Sequence, residues 1–233
     1  MDATEPVLIA LGAQHAELSR LLGSLDDVAW RSATPCEGWD VADVTVHLAQ
    51  SDEAAVASLE GRLVARSDGT LLDGSTADVD ALAERMVLDA RALTPDAVLD
   101  RWRDAAARLR KVSEGVAPDT RCQWMVGTLA ARTLVTTRLA EAWIHTGDIA
   151  AALGAEQEID DRIGHIARLA WRTVPYSFTR AGLAVPTPVG FDLVLPSGAH
   201  LALGVDGAAT VVRGTALDLC RVAGRRAPAS DTA

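Results

Sequence analysis

The stretch that decides the fold is Arg138-Leu-Ala-Glu141-Ala-Trp-Ile-His145-Thr-Gly-Asp148. Its spacing predicts about three turns of a helix. Because successive helical residues are about 100° apart, the four named polar residues fall within about 80° of one another on one face. Apolar side chains such as Ile149 lie on or beside that face. The polar stripe is therefore predicted to point into the protein core.

A buried carboxylate and imidazole carry a large desolvation cost unless they are paired. Glu141 and His145 are four residues apart, so their side chains are neighbours on the helix and can share one metal ion. The alternative from this helix alone is a buried polar network in which the glutamate, histidine, aspartate and arginine satisfy one another. A second stretch of sequence is needed to choose between them.

That second stretch begins with the turn Thr34-Pro-Cys-Glu-Gly-Trp39-Asp40. Asp40 can cap a following helix, which the apolar spacing extends over 41–66. His47 lies on a face of this helix made mostly of small residues, which leaves room for a ligand. The pattern places Asp52 on the opposite, outward side. A lone inward histidine is commonly a satisfied core residue, so His47 gains meaning only from its partners.

Four long helices are predicted, at 5–24, 41–66, 95–112 and 128–153, with further helices at 77–93 and 160–182 and a loop at 115–127. The pattern then changes to alternating strands, a hairpin signal at Asp206-Gly207 and a short helix. We expect a mainly α protein, with a helical bundle over 1–183 and a small α+β subdomain over 184–233. On facing helices of a bundle, His47 would meet Glu141 and His145, which favours a metal site.

The net charge of −10 and a pI of about 4.9 argue against nucleic-acid or anionic-membrane partners. A small-molecule substrate is expected instead, in a monomer or a homodimer. The sequence shows no signal peptide or long apolar run, and its three cysteines form no CxxC pair, so a cytoplasmic protein is expected. Cys36 has no partner evident in the sequence and is interpreted as a buried or loop cysteine, and His15 as a surface or structural histidine.

Two segments resemble a known family. The stretch Thr34-Pro-Cys-Glu-Gly-Trp39-Asp-Val-Ala-Asp-Val-Thr-Val-His47-Leu-Ala is similar to the TPxxGWxVxDVxxHLA segment of the mycothiol-dependent maleylpyruvate isomerase-like proteins. The stretch 138–154 resembles that family's second segment, with glutamate and histidine four apart. The resemblance implies a DinB-like four-helix bundle that binds a divalent metal, usually zinc, through His47, Glu141 and His145.

The closing segment Gly214-Thr-Ala-Leu-Asp-Leu-Cys-Arg-Val-Ala-Gly-Arg225-Arg226 is similar to the family's C-terminal helix, where an arginine contributes to catalysis. By that motif the role falls on Arg225. The family resemblance is weakest over 60–120, so the substrate does not carry over.

Three protein ligands leave a coordination position open, which is typical of catalysis or ligand capture. The resemblance implies that mycothiol occupies it, for S-transfer to, or isomerisation of, a small electrophile. Asp148 and Arg138 are expected to support this site, and Trp39 and Trp124 to line its mouth. Two alternatives remain at this point: a metal-water hydrolase or hydratase, and a metal-containing small-molecule binding protein.

Overall fold

The computed structural model describes residues 5–63, 76–125, 127–185 and 188–232. Short 3₁₀ helices at Ala29–Arg31 and Ala229–Asp231 accompany the main elements. In chain order, these are α1 (Glu5–Leu22), α2 (Val41–Leu59), α3 (Thr76–Ala90), α4 (Pro95–Glu114), β1 (Arg121–Trp124), β2 (Gly127–Ala130), α5 (Ala131–Leu153), α6 (Ile163–Arg180), β3 (Val189–Val194), β4 (His200–Leu203), β5 (Thr210–Thr215) and α7 (Ala216–Ala223).

Local sequence signals explain where the bundle helices begin and end. Asp40 and Asp43 form a capping box at the start of α2, in which each side chain accepts a hydrogen bond from the other residue's backbone N–H. Thr94 caps α4, and Pro95 occupies its first turn, where a missing N–H costs nothing. Gly154 ends α5 in the left-handed conformation, with φ of 63°, which glycine adopts without a steric penalty.

The bundle is built mainly from α1, α2, α4 and α5. Helix α2 packs against α4 and α5, and α1 packs against α5 and α4. Burial of the apolar faces of these helices supplies the main stabilising free energy of this unit. The mainly α fold class is confirmed. The largest fully buried apolar side chains of the bundle are Leu11, Leu18, Leu22, Leu48, Trp102, Leu109, Leu134, Leu139 and Ile149.

The chain divides into two compact units, Met1–Gln157 and Glu158–Ala233. The second unit holds α6, a three-stranded sheet and α7. Strand β3 is central in this sheet: β4 pairs with it antiparallel and β5 pairs with it parallel. This division places α6 with the strands, whereas the sequence pattern grouped residues up to 183 with the helices. The boundary at 183 stays a prediction.

Three local predictions differ from the structure. The segment predicted as a loop over 115–127 instead holds β1 and the first residue of β2, which form an antiparallel pair with Cys122 opposite Leu129. As a consequence, α5 starts at Ala131 rather than at the predicted residue 128. The turn at Asp206-Gly207 does not join neighbouring strands, because β5 pairs with the far edge of β3. Helix α2 ends at Leu59, before the predicted 66, and residues 64–66 lie outside the described part of the chain.

No helix within the described residues is long and apolar enough to cross a membrane.

Candidate metal centre

Helices α2 and α5 bring His47, Glu141 and His145 together, as their sequence pattern predicts for facing helices of a bundle. The Glu141 Oε2 atom lies 3.6 Å from His47 Nε2 and 3.5 Å from His145 Nε2. The two imidazole rings meet edge to face, with centroids 5.1 Å apart. His145 is buried, and the other two side chains are half-buried. One nitrogen from each histidine and one carboxylate oxygen therefore converge.

The spacing of these donor atoms fits a divalent cation. Tetrahedral zinc with bonds of about 2.0–2.1 Å holds its nitrogen and oxygen ligand atoms roughly 3.4 Å apart. The observed separations of 3.5 and 3.6 Å are close to that value, and all three donor atoms lie within 4.8 Å of one another. Two histidines and one glutamate are also a ligand set that catalytic zinc sites use. The residues present therefore fit the metal that the sequence resemblance implies.

The electrostatics of Glu141 and His47 also suit a cation. Burial raises the pKa of Glu141, but hydrogen bonds from both histidines and the charge of Arg138 outweigh burial and hold this pKa well below its usual value. Burial lowers the pKa of His47, more than its contact with Glu141 raises it. An ionised carboxylate beside a neutral imidazole is the protonation state that metal binding requires.

His145 is oriented from behind by Asp148. The His145 Nδ1 atom lies 2.9 Å from Asp148 Oδ2, and Asp148 is only 2% exposed. Burial lowers the pKa of His145, but its hydrogen bonds with Asp148, Cys36 and Glu141 raise this pKa well above the usual value. With its Nδ1 proton held by a carboxylate, a histidine presents the Nε2 lone pair to a metal, which is the usual arrangement behind zinc ligands.

Cys36 was interpreted as a buried or loop cysteine with no partner evident in the sequence, and the structure places it in the loop before α2, where it does have partners. Its Sγ atom lies 3.2 Å from Asp148 Oδ2 and 3.8 Å from His145 Nδ1. Both contacts join residues more than a hundred positions apart in the sequence, so no local sequence pattern predicts them. Only the position of the cysteine in the turn that precedes the His47 helix offered a signal.

Arg138 and the two tryptophans lie around the centre in different ways. Arg138 is 5% exposed, and its guanidinium carbon is 5.0 Å from the centroid of the Trp124 ring, a cation–π distance. Among the described residues, its Nη1 atom has no hydrogen-bond partner. Trp39 packs against the His47 ring, with centroids 5.1 Å apart. The structure thus brings Arg138, Trp39 and Trp124 to the cluster.

Arg225 belongs to the second unit, immediately after α7. It is exposed, and it has a φ of 58°, in the left-handed region that non-glycine residues rarely occupy. Its catalytic role remains a prediction from the C-terminal motif.

A second buried histidine–carboxylate pair corrects two expectations. His15 was interpreted as a surface or structural histidine and Asp52 as outward-facing, but they are only 5% and 3% exposed, so His15 is not a surface residue and Asp52 does not face outward. Their closest atoms, His15 Nε2 and Asp52 Oδ2, are 3.8 Å apart, beyond hydrogen-bonding distance. Burial, with a contribution from Arg110, lowers the pKa of His15 to about 3, and burial raises the pKa of Asp52 to about 7. The outward assignment failed because α4 and α5 both pack against α2, so α2 has more than one buried face.

The fold is a helical bundle of the DinB-like class, and it brings together a candidate set of metal ligands. The chain matches the family described as the mycothiol maleylpyruvate isomerase N-terminal domain over residues 11–150, and it belongs to that family. This match confirms the family that the two sequence segments resemble. It covers the first segment and residues 138–150 of the second, and therefore includes all three candidate ligands.

Two relatives and two related structures extend the comparison. Mycobacterium tuberculosis proteins called uncharacterized protein MT0041 and uncharacterized protein Rv0036c, from two strains, are each 29% identical to the chain over 216 residues, covering 92% of this chain and 83% of theirs. Crystal structures of the mycothiol-dependent maleylpyruvate isomerase and of a mutant form of it align with TM-scores of 0.66 and 0.65. Their identities are 20% and 19%, with 98% of this chain and 91% of theirs covered, so they establish the shared fold.

A third structural relative has a more distant fold similarity. The colibactin self-resistance protein ClbS, whose crystal structure is a complex with double-stranded DNA, aligns with a TM-score of 0.52 at 13% identity. The alignment covers 67% of this chain and 99% of ClbS. The likeness concerns the fold.

Proposed function

We propose that this protein is a divalent-metal-dependent enzyme, with zinc as the expected metal, that uses mycothiol as a co-substrate. Its reaction is S-transfer to, or isomerisation of, a small electrophilic molecule. The observation that carries this proposal is the convergence of His47 Nε2 and His145 Nε2 on Glu141 Oε2 at 3.6 and 3.5 Å. Membership of the family supports the thiol as the co-substrate class.

In this proposal His47, Glu141 and His145 hold the metal, and three protein ligands leave a position for a small ligand. A bound divalent cation favours the deprotonated, nucleophilic form of a thiol that coordinates it. Asp148 keeps the proton on His145 Nδ1, which fixes the ring orientation and leaves Nε2 free to coordinate.

Arg138 is proposed to balance negative charge beside the centre. Its buried guanidinium lies on Trp124, and the Nη1 atom has no hydrogen-bond partner among the described residues, so it can donate to an anionic group of the reacting molecules. Trp39 and Trp124 supply apolar walls. Arg225 is proposed, from its motif, to hold a substrate carboxylate.

The two alternative functions are less well supported. A metal-water hydrolase needs a general base beside the open position, and Asp148 instead lies on the Nδ1 side of His145, in contact with Cys36. A binding protein without turnover would not need a metal position that ionises a bound thiol, which the proposed site supplies. The experiments below distinguish these alternatives from the proposed enzyme.

The first experiment measures metal per chain on purified protein and after reloading with zinc. At no more than one equivalent of zinc, with a competing chelator present to keep weaker positions empty, wild type should hold about one ion per chain, and His47→Ala and Glu141→Ala should hold almost none while staying folded by circular dichroism. His200→Ala is the matched control. His200 is exposed and lies in the second unit, so its replacement should not change the metal content. A folded wild type that cannot be loaded would overturn the proposal.

The second experiment asks whether mycothiol binds through its sulfur. Mycothiol should raise the melting temperature of the zinc-loaded protein, but neither that of the metal-free protein nor that of His47→Ala. Mycothiol methylated on sulfur should have little effect. Equal stabilisation by the methylated compound would overturn thiol coordination. Stabilisation by apolar ligands alone would favour the binding protein.

A further inference from the structure

The turn before α2 places a cysteine sulfur against the back of His145. Backbone and side-chain hydrogen bonds close this turn: Thr34 Oγ1 donates to the Trp39 carbonyl at 2.9 Å, and the Trp39 N–H donates to the Cys36 carbonyl at 3.0 Å. The capping box at Asp40 then continues directly into the helix that carries His47. The position of Cys36 is therefore fixed by the same segment that positions the first metal ligand.

The two ring nitrogens of His145 face two different sets of donor atoms. Nε2 faces Glu141, while Nδ1 faces Asp148 Oδ2 at 2.9 Å and Cys36 Sγ at 3.8 Å. Cys36 Sγ is also 3.2 Å from Asp148 Oδ2. The sulfur, nitrogen and oxygen donors on the Nδ1 side all lie within 4.8 Å of one another. Each of the two ring nitrogens of His145 is thus next to side chains of a type that binds metals.

This second donor set suits a thiophilic divalent ion. With Zn–S bonds of about 2.3 Å and Zn–N or Zn–O bonds of about 2.0–2.1 Å, a tetrahedral site separates sulfur from its neighbouring donors by roughly 3.6 Å. The two observed sulfur distances, 3.8 and 3.2 Å, lie on either side of that value. The contact between His145 Nδ1 and Asp148 Oδ2, at 2.9 Å, is a hydrogen bond that an ion would replace.

We propose that Cys36, His145 and Asp148 form a second cation position, for Zn²⁺ or Cd²⁺, that shares His145 with the first. Binding forms bonds from the ion to Cys36 Sγ, His145 Nδ1 and Asp148 Oδ2, and it releases the Cys36 thiol proton and the His145 Nδ1 proton to solvent. The imidazolate of His145 then bridges the two ions. The thiolate, the imidazolate, Asp148 and Glu141 together carry four negative charges, which balance two divalent cations.

The sharing of one histidine predicts an order of filling. The first ion leaves the proton on His145 Nδ1, where it stays hydrogen-bonded to Asp148, whereas the second ion must displace that proton and the Cys36 thiol proton. The second position should therefore fill at higher metal concentration than the first. The second cation position does not depend on the identity of the co-substrate, so it can be tested separately from the proposed enzymatic activity.

The test is a Co²⁺ titration of metal-free protein, followed by absorption. Co²⁺ bonded to a thiolate has a charge-transfer band in the near ultraviolet, whereas Co²⁺ bonded only to nitrogen and oxygen does not. Wild type should bind about two ions per chain, and the near-ultraviolet band should grow with the second. Cys36→Ser and Cys36→Ala should bind about one ion and show no such band.

Two further variants keep the outcome unambiguous. Cys122→Ser removes a buried thiol elsewhere in the same unit and should leave the band intact. His47→Ala should lose the first ion but keep the band, because the second donor set does not include that residue. A wild type that binds only one ion without the band would overturn the proposal, and so would a band that persists in both Cys36 variants. Cys36 and Asp148 would then act only by orienting His145.

Discussion

Two buried histidine–carboxylate pairs occupy one helical bundle, and they differ in their surroundings. At the candidate metal centre, Glu141 receives two imidazoles and its pKa falls, because hydrogen bonds outweigh burial. In the other pair, no imidazole among the described residues lies within hydrogen-bonding distance of Asp52, and burial raises the pKa of Asp52 to about 7. His15 contacts Trp102 edge to face, with centroids 6.0 Å apart, and neither of its ring nitrogens has a hydrogen-bond partner among the described residues.

The difference shows that residue types alone do not make a metal site. The ionised Glu141 carboxylate is stabilised by two imidazoles and by the charge of Arg138. His145 has Asp148 behind it at 2.9 Å, whereas His15 and Asp52 approach each other only to 3.8 Å. We expect the first pair to bind a cation and the second to reduce stability when Asp52 ionises.

The largest expected effect is on the second pair. Asp52→Asn should make the metal-free protein more stable at pH 8 by about 4 kcal/mol at most, since each pKa unit corresponds to about 1.4 kcal/mol. The pKa of Asp52 is raised on folding from 3.8 to about 7, so wild type loses stability as the pH rises through that interval, and the variant does not. Urea unfolding at several pH values measures the difference.

Glu53→Gln is the matched control, because Glu53 is the next residue on the same helix and pairs with Arg101 at the surface. It should change stability by less than about 1 kcal/mol at every pH. A difference between Asp52→Asn and wild type that does not vary with pH would show that folding does not raise the pKa of Asp52.

A smaller effect is expected behind the metal centre. Asp148→Asn should lower the affinity for the first zinc ion about 10- to 100-fold, as loss of a group that orients a ligand histidine usually does. Competition with a chromophoric chelator, at less than one equivalent of zinc, measures this affinity. Asp52→Asn serves here as the comparison and should change it much less. Equal losses in both variants would mean that the two pairs form one electrostatic unit.

The smallest expected effect is the loss of stability when a helix cap is removed, and it tests whether the cap of α2 also holds the metal site in place. Asp40→Ala removes the capping box of α2 and should lower the free energy of unfolding by about 1 kcal/mol. Thr94→Ala removes the cap of α4 and should cost a similar amount. Both variants should keep the wild-type zinc content. Loss of zinc from Asp40→Ala alone would mean that the turn at 34–40 is needed to hold His47 in place.

Local sequence determined much of this protein. Capping residues and apolar periodicity predicted the bundle helices, because those signals act within one or two turns of chain. The spacing of Arg138, Glu141, His145 and Asp148 predicted one shared face, because helix geometry alone fixes it. The prediction that His47 lies beside that face came from a general property of helical bundles, in which side chains on facing helices meet.

Tertiary structure alone decided the rest. Cys36 reaches Asp148 and His145 through a contact between residues more than a hundred positions apart, which no local period encodes. Asp52 is buried in a bundle where α4 and α5 both pack against α2, so the prediction of a single inward face on α2 was too simple. The parallel pairing of β5 with β3 likewise overrides the local turn signal at Asp206-Gly207. Where long-range packing sets the environment of a group, its charge and its partners follow from the fold.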